Sequence, residues 1–243
     1  MRISLPVKNL KEITDLLNTV VTEVKLQIST NGISVKAVDP AHVAMISLEM
    51  PRESFTEYEV EGDDEISIDV ERLKSVIKIT KDSDEITMKK ENGKLSFDIG
   101  NVNKKINLLD NSSVTTPKIP QISSDSFVVL QKQDVERGLR AAEDVSDAIK
   151  FTLSNDSFAA KSYSDTEESE LVLPKDMLKE VSCKTAVKSL YPLEYLLRFM
   201  KSLSSSDEIK ISFKDDYPMI IEFRFGKQGD MTGSFLLAPR MEQ

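Results

Sequence analysis

Lys81-Asp82-Ser83-Asp84-Glu85-Ile86 and Ser204-Ser205-Ser206-Asp207-Glu208-Ile209 share the ending Ser-Asp-Glu-Ile, 123 positions apart. Lys78 and Lys201 stand at the same spacing. Four matching residues are weak alone, but the pattern around them repeats too. Four segments carry apolar residues at helical spacing. They are Val7, Leu10, Ile13, Leu17 and Val20; Val70, Leu73, Val76 and Ile77 behind a capping Asp69; Val135, Leu139, Ala142 and Val145; and Leu193, Leu196, Met200 and Leu203 behind Pro192. Asp69 suits an N-cap, and Pro192 is expected at the first helical position. The first and third helices align at a spacing of about 126.

Between the helices lie strand-like alternations. Val24, Leu26 and Ile28 lead to a turn expected at Asn31-Gly32, then to Ile33, Val35 and Ala37. Asn92-Gly93 marks a second hairpin, and the segments 208–213 and 219–225 flank a third turn. The order strand, helix, strands, helix, strands then occurs twice. The period is too long for a solenoid and predicts two similar α+β domains. Boundaries are expected at 1–110 and 126–243, with 111–125 as a linker rich in Ser, Thr and Pro. Ile119 and Ile122 are apolar residues on that otherwise polar linker.

The chain has 243 residues, 40% hydrophobic and 30% charged, with a net charge of −9. No run approaches the roughly 18 apolar residues of a membrane span, and no signal core opens the chain, so an intracellular protein without a membrane is expected. One cysteine, Cys183, and one histidine, His42, cannot build a His/Cys metal site. No phosphate-cradling glycine motif is present. The acidic runs 61–65 and 165–168 read as solvated loops. His42 needs a positioned partner to serve as a base, and Asp39 is three residues upstream. Neither catalysis nor a cofactor is expected.

Each helix carries cations at helical spacing: Lys8 and Lys11; Lys74, Lys78 and Lys81; Arg137 and Arg140; Arg198 and Lys201. Side by side they would form a basic field suited to a phosphate backbone, with Glu12, Glu71, Glu136 and Glu194 interspersed.

Three stretches resemble the sliding-clamp family of the proliferating-cell-nuclear-antigen type. They are Gly32 to Val43, with its Asp39 and His42-Val43; Tyr217 to Phe223; and Leu236-Leu237-Ala238-Pro239-Arg240. The resemblance spans essentially the whole chain. It implies the α+β DNA clamp (processivity) fold: two topologically similar domains, each with antiparallel sheets outside and two helices inside. It implies a homotrimeric ring around duplex DNA, gripped without sequence preference, in the cytoplasm of an archaeon or a nucleus. A checkpoint-type or hetero-trimeric paralogue is the alternative. The resemblance places Lys11, Lys78, Arg137, Arg140 and Lys201 in the channel. It implies a groove for short peptide motifs of DNA polymerase, clamp loader, flap nuclease and ligase. Val38, His42 and Met45, Ile119 and Pro120, and Pro218, Phe235, Leu236, Leu237, Ala238 and Pro239 would form it. Head-to-tail closure needs two complementary edges. The expected edges are 102–109, with Lys104 and Lys105, and 169–173, with Glu170 and Leu171; Glu143 and Asp147 would add charge pairing.

Overall fold

The computed structural model describes residues 1–120, 122–226 and 228–241. Gln121 of the expected linker and the last two positions of the expected second domain lie outside the described residues. The chain divides into two compact units: Met1–Ile119 with Arg224–Gly233, and Pro120–Phe223 with Ser234–Gln243.

The first unit runs β1 (Arg2–Pro6), α1 (Val7–Asn18), β2 (Glu23–Ser29), β3 (Gly32–Val38), β4 (Ala44–Pro51), β5 (Glu57–Glu59), β6 (Asp64–Asp69), α2 (Val70–Ile77), β7 (Glu85–Glu91), β8 (Lys94–Ile99) and β9 (Val102–Asn107). One antiparallel sheet has the order β5-β1-β7-β8-β9, and β4-β3-β2-β6 form a second run. Asp69 caps α2 as expected, its carboxylate accepting from the N–H groups of Glu71 (2.8 Å) and Arg72 (3.3 Å). Val7, Leu10, Leu17, Val70, Leu73 and Val76 are buried. Each such side chain is worth about 1.5–3 kcal/mol of burial.

From Phe127 onward the chain repeats the sequence of elements, the segment Arg224–Gly233 at the end of β17 and start of β18 being the part counted with the first unit: β10 (Phe127–Gln131), α3 (Lys132–Ala142), β11 (Ala148–Leu153), β12 (Ser157–Tyr163), β13 (Glu168–Pro174), β14 (Glu180–Ser182), β15 (Val187–Pro192), α4 (Leu193–Ser202), β16 (Glu208–Ser212), β17 (Met219–Phe225) and β18 (Met231–Leu237). The runs β14-β10-β16-β17 and β13-β12-β11-β15 match β5-β1-β7-β8 and β4-β3-β2-β6 strand for strand. The core of the second unit is aromatic. Phe151 meets Phe158 and Tyr191 edge to face at 5.2 and 5.9 Å, and Phe199 stacks on Phe235 at 4.0 Å.

The duplication extends to single hydrogen bonds. Val7 N–H donates to the Asp84 carbonyl (3.0 Å), and Lys132 N–H to that of Asp207 (2.8 Å). Val70 N–H donates to Thr22, and Leu193 N–H to Asp147 (2.9 Å each). Equivalent residues lie 125 apart as far as β3, where Val38 pairs with Met45 and Tyr163 with Glu168, and 123 apart from there through β7 and β16. The first and third helices therefore start 125 apart, not 126. This change of two falls in one loop. Asp39 to Ala44 in the first unit has two residues more than Ser164 to Glu167 in the second.

Two local expectations shift. Pro192 is the N-cap of α4 and not its first residue, because its ψ of 119° is extended. The turn between β2 and β3 is Thr30-Asn31, since Ser29 pairs with Gly32. Gly32 instead meets a neighbouring backbone: a Cβ there would lie 2.3 Å from the Met50 carbonyl oxygen. Asn92-Gly93 is the expected hairpin turn, with φ of 48° and 75° between paired Glu91 and Lys94.

Candidate nucleic-acid interface and partner groove

In each unit the two helices pack together, α1 with α2 and α3 with α4. Their apolar stripes face inward, so the opposite ridges are solvated. Lys8, Lys11 and Asp15 form the exposed ridge of α1; Glu71 and Lys78 flank half-buried Lys74 on α2. Gln133, Arg137 and Arg140 line α3, and Glu194, Arg198 and Lys201 line α4. Lys81 lies just beyond α2 and is exposed. Among the described residues Lys8, Lys11, Lys78, Lys81 and Lys201 form no ion pair. Lys74 meets Glu71 at 2.7 Å, Arg137 meets Asp134 at 3.5 Å, Arg140 meets Glu136 at 2.6 Å, and Arg198 meets Glu194 at 3.7 Å. All four are local, solvent-facing pairs of small strength.

Glu12 differs from its reading as a ridge acid. It is 4% exposed, and its carboxylate accepts from the Gly226 N–H at 3.2 Å. Asp15 takes its place on the ridge. Packing around its carboxyl pushes it above the ordinary range, while Lys11 and then Lys74 pull it back. Sequence alternation alone does not separate these two acids, which are three residues apart.

Asp39 organises the longer loop. Its carboxylate accepts from the N–H groups of Val43 and Ala44 (2.7 Å each) and Ala41 (3.2 Å). The His42 N–H donates to the Asp39 carbonyl at 3.0 Å, and His42 stands exposed at φ 56°. The Asp39 carboxylate is thus engaged by three backbone amides of the loop. Val38 and His42 line a hollow of about 310 Å³ whose far wall is Ser113, Val114 and Thr115. Lys36 borders it and a second hollow of about 440 Å³ walled by Thr116, Pro117, Lys118 and Ile119. Met45 is half-buried on β4. The sequence reading missed Lys36 and residues 113–115. The signal available was Asp110, whose carboxylate accepts from the N–H and the hydroxyl of Ser112 and turns the chain there.

In the second unit, Pro218, Leu236, Ala238 and Pro239 are half-buried and Pro120 is exposed. Phe235 and Leu237 correct the expectation of groove residues. Both are fully buried, Phe235 against Phe199 and Phe223, because alternate residues of β18 face the core. The Cys183 thiol is buried and donates to the carbonyls of Thr185 (2.8 Å) and Leu153 (3.3 Å). No group of three or more His, Cys, Asp or Glu among the described residues is placed to hold a metal ion.

Strand β9 ends its sheet beside β8, and β13 ends its sheet beside β12. Val102 on β9 and Val172 on β13 are 50% and 52% exposed. Several charges expected at these edges have partners in their own unit. Lys104 Nζ donates to the Ser75 carbonyl (2.7 Å) and hydroxyl (3.0 Å). Lys105 pairs with Glu91 at 2.9 Å, and Asp147 with Arg240 at 2.7 Å. Glu143 and Glu170 are exposed, and Leu171 is half-buried beneath α3.

The family models for the N-terminal and C-terminal domains of proliferating cell nuclear antigen match residues 7–126 and 118–240. The chain belongs to the proliferating cell nuclear antigen family. A relative in Thermoplasma acidophilum, named DNA polymerase sliding clamp, is 56% identical over 245 residues and 100% of both chains. One of the same name in Picrophilus torridus is 59% identical over 242 residues and 99% of both. A solved structure described as the C-terminal region of FEN-1 bound to A. fulgidus PCNA aligns at TM-score 0.93 and 25% identity, covering 100% of this chain and 99% of that one. The PCNA of Thermococcus kodakaraensis aligns at TM-score 0.90 and 27% identity, covering 98% and 99%. The duplicated sheet order and the two helix pairs are thus the family's fold. No helix among the described residues is long and apolar enough to cross a membrane.

Proposed function

We propose that the chain is a DNA polymerase sliding clamp: three copies close head to tail around duplex DNA and tether replication and repair enzymes. The observation that carries this is the outward cation ridge on all four helices, within a family whose 54–59% identical relatives bear that name. A ring holds DNA by topology, so thin, locally paired basic ridges suffice. The acidic remainder of the surface repels stray DNA. DNA polymerase, clamp loader, flap nuclease and ligase would dock through short apolar motifs. The chain itself would turn nothing over and would work inside the cell.

The segments 1–110 and 126–243 are the proposed clamp domains, with 111–125 connecting them. Exposed β9 and β13 are the proposed mating edges. Val102 and Val172 supply apolar contact there, while Lys104, Lys105 and Asp147 are already engaged at home. Closure should therefore depend more on strand pairing and apolar burial than on charge. The groove proposed for peptide motifs uses Val38, His42, Met45, Ile119, Pro120, Pro218, Leu236, Ala238 and Pro239.

Primer extension on primed circular DNA, with the family's polymerase and loader, tests the reading. Long products that depend on the chain are expected. Products of unchanged length with and without it would refute the proposal.

A further inference from the structure

Gly138 stands in the middle of α3 and is buried, yet its backbone angles are ordinary for a helix. Glycine is a poor helix former, so a packing reason is required at such a place. Leu171 of β13 supplies one. A Cβ at position 138 would lie 2.7 Å from Leu171 Cδ2, 2.8 Å from its Cβ and 3.2 Å from its Cγ. The Cδ2 atom could rotate away. The Leu171 Cβ is fixed to the strand backbone, so relief there requires the strand to move.

The other unit shows the alternative arrangement. The counterparts of Gly138 and Leu171 are Ile13 on α1 and Leu48 on β4, both buried. There α1 keeps further from β4, whereas α3 lies close along β13. Removing the side chain thus accompanies closer approach of helix to strand in one unit only. That strand is an edge: Leu171 pairs with Ala160 of β12, and Val172 beside it is half exposed.

We infer that Gly138 is a positioning residue for ring closure: the absent side chain lets α3 seat against β13 and so fixes the edge that a second copy pairs with. The inference rests on the proposed ring, because it assigns Gly138 a part in subunit contact.

Sedimentation velocity over a dilution series compares the unaltered chain, Gly138→Ala and Leu171→Ala. Circular dichroism and thermal melting follow the fold of each. Gly138→Ala is expected to keep its helix signal while its trimer dissociates at about tenfold higher concentration. Leu171→Ala, which removes the surface that α3 rests on, is expected to weaken the trimer as well. An unaltered dissociation in Gly138→Ala overturns the inference. If that variant fails to fold, an unaltered dissociation in Leu171→Ala overturns it instead. If the unaltered chain is monomeric throughout, the ring reading fails. Amide exchange of β13 then decides the glycine's role: faster in Gly138→Ala supports it, and unchanged exchange refutes it.

Discussion

Arg240 reaches back to Asp147, Nη1 to Oδ2 at 2.7 Å, while its own N–H donates to the Leu190 carbonyl at 2.7 Å. Side chain and backbone together hold the last described residues against β15. The first unit does the same with hydrogen bonds: the Leu109 N–H donates to the carbonyl of Ser67, the counterpart of Leu190, at 2.8 Å, and the Asn111 side-chain amide accepts from the Ser67 hydroxyl and donates to the Glu65 carbonyl at 2.9 Å each. Each unit thus ends by laying its tail over the equivalent strand, and only the second adds an ion pair. Ala238 and Pro239, just before the pair, are proposed groove residues.

Breaking the pair should loosen the tail without unfolding the unit. Arg240→Ala or Asp147→Asn is expected to weaken binding of an apolar-anchored partner peptide by up to about fivefold at low salt, the range of an exposed ion pair. The loss should shrink at high salt. Calorimetric titration at two salt concentrations checks this. The swapped pair, Asp147→Arg with Arg240→Asp, should recover affinity. Failure of the swap would assign Arg240 to direct contact with the peptide.

Asp39 carries a heavier burden. It is 5% exposed and supports three amides of the loop that the second unit lacks in this form. Asp39→Ala leaves those donors without that acceptor and is expected to cost about 1–3 kcal/mol. Asp39→Asn keeps Oδ1, which serves Val43 and Ala44, and should cost less. Urea unfolding gives the order. Peptide affinity should fall in the same order, because His42 leaves the hollow's mouth as the loop relaxes. Equal stability of all three proteins would show that the loop does not depend on the carboxylate.

The cation ridges make a separable prediction. Among the ridge cations named above, Lys78 and Lys201 stand at equivalent positions in the two units, and neither forms an ion pair among the described residues. Arg137 and Arg140 have acids beside them. Neutralising Lys78 and Lys201 together should weaken DNA binding uniformly over sequences and reduce the salt slope by about one per lost phosphate contact. Neutralising Arg137 and Arg140 takes these partners from Asp134 and Glu136, of which Glu136 keeps Lys132 at 3.3 Å, so the loss should be larger. Fluorescence anisotropy on linear duplex over a salt series measures both. The trimer should persist, since none of these side chains lies on β9 or β13.

Much of the fold was legible because the chain states it twice. The helical stripes, the Asp69 cap and the Asn92-Gly93 turn are local and carry their own chemistry. Strands β5, β6, β14 and β15 were not drawn from the pattern, being short, edge-lying or begun in acidic text such as Asp64-Glu65. What escaped in the candidate site was also non-local. Glu12 and Asp15 look alike in sequence, and only the turn at Gly226 shows which one is buried. Phe235 and Leu237 sit in a motif suited to a groove, but strand alternation turns them into the core. Gly138 looked like an unremarked helix residue until Leu171 was placed beside it.

Asp15 gives the pH-dependent prediction. Packing holds its carboxyl above the ordinary carboxylate range, despite Lys11 and Lys74. A raised acid is unfavourable while ionised, so the folded state gains stability as pH falls through the upper carboxylate range and Asp15 takes a proton. The same event removes a negative charge from a ridge that holds Lys8 and Lys11. Duplex binding should therefore strengthen on mild acidification. Asp15→Asn should bind duplex more tightly at neutral pH and lose that part of the pH response. It should also resist urea at least as well as the unaltered chain at pH 7. Anisotropy and urea unfolding over a pH series descending from neutrality into the carboxylate range check both halves. A full pH response retained in Asp15→Asn would place the titrating group elsewhere on the helices.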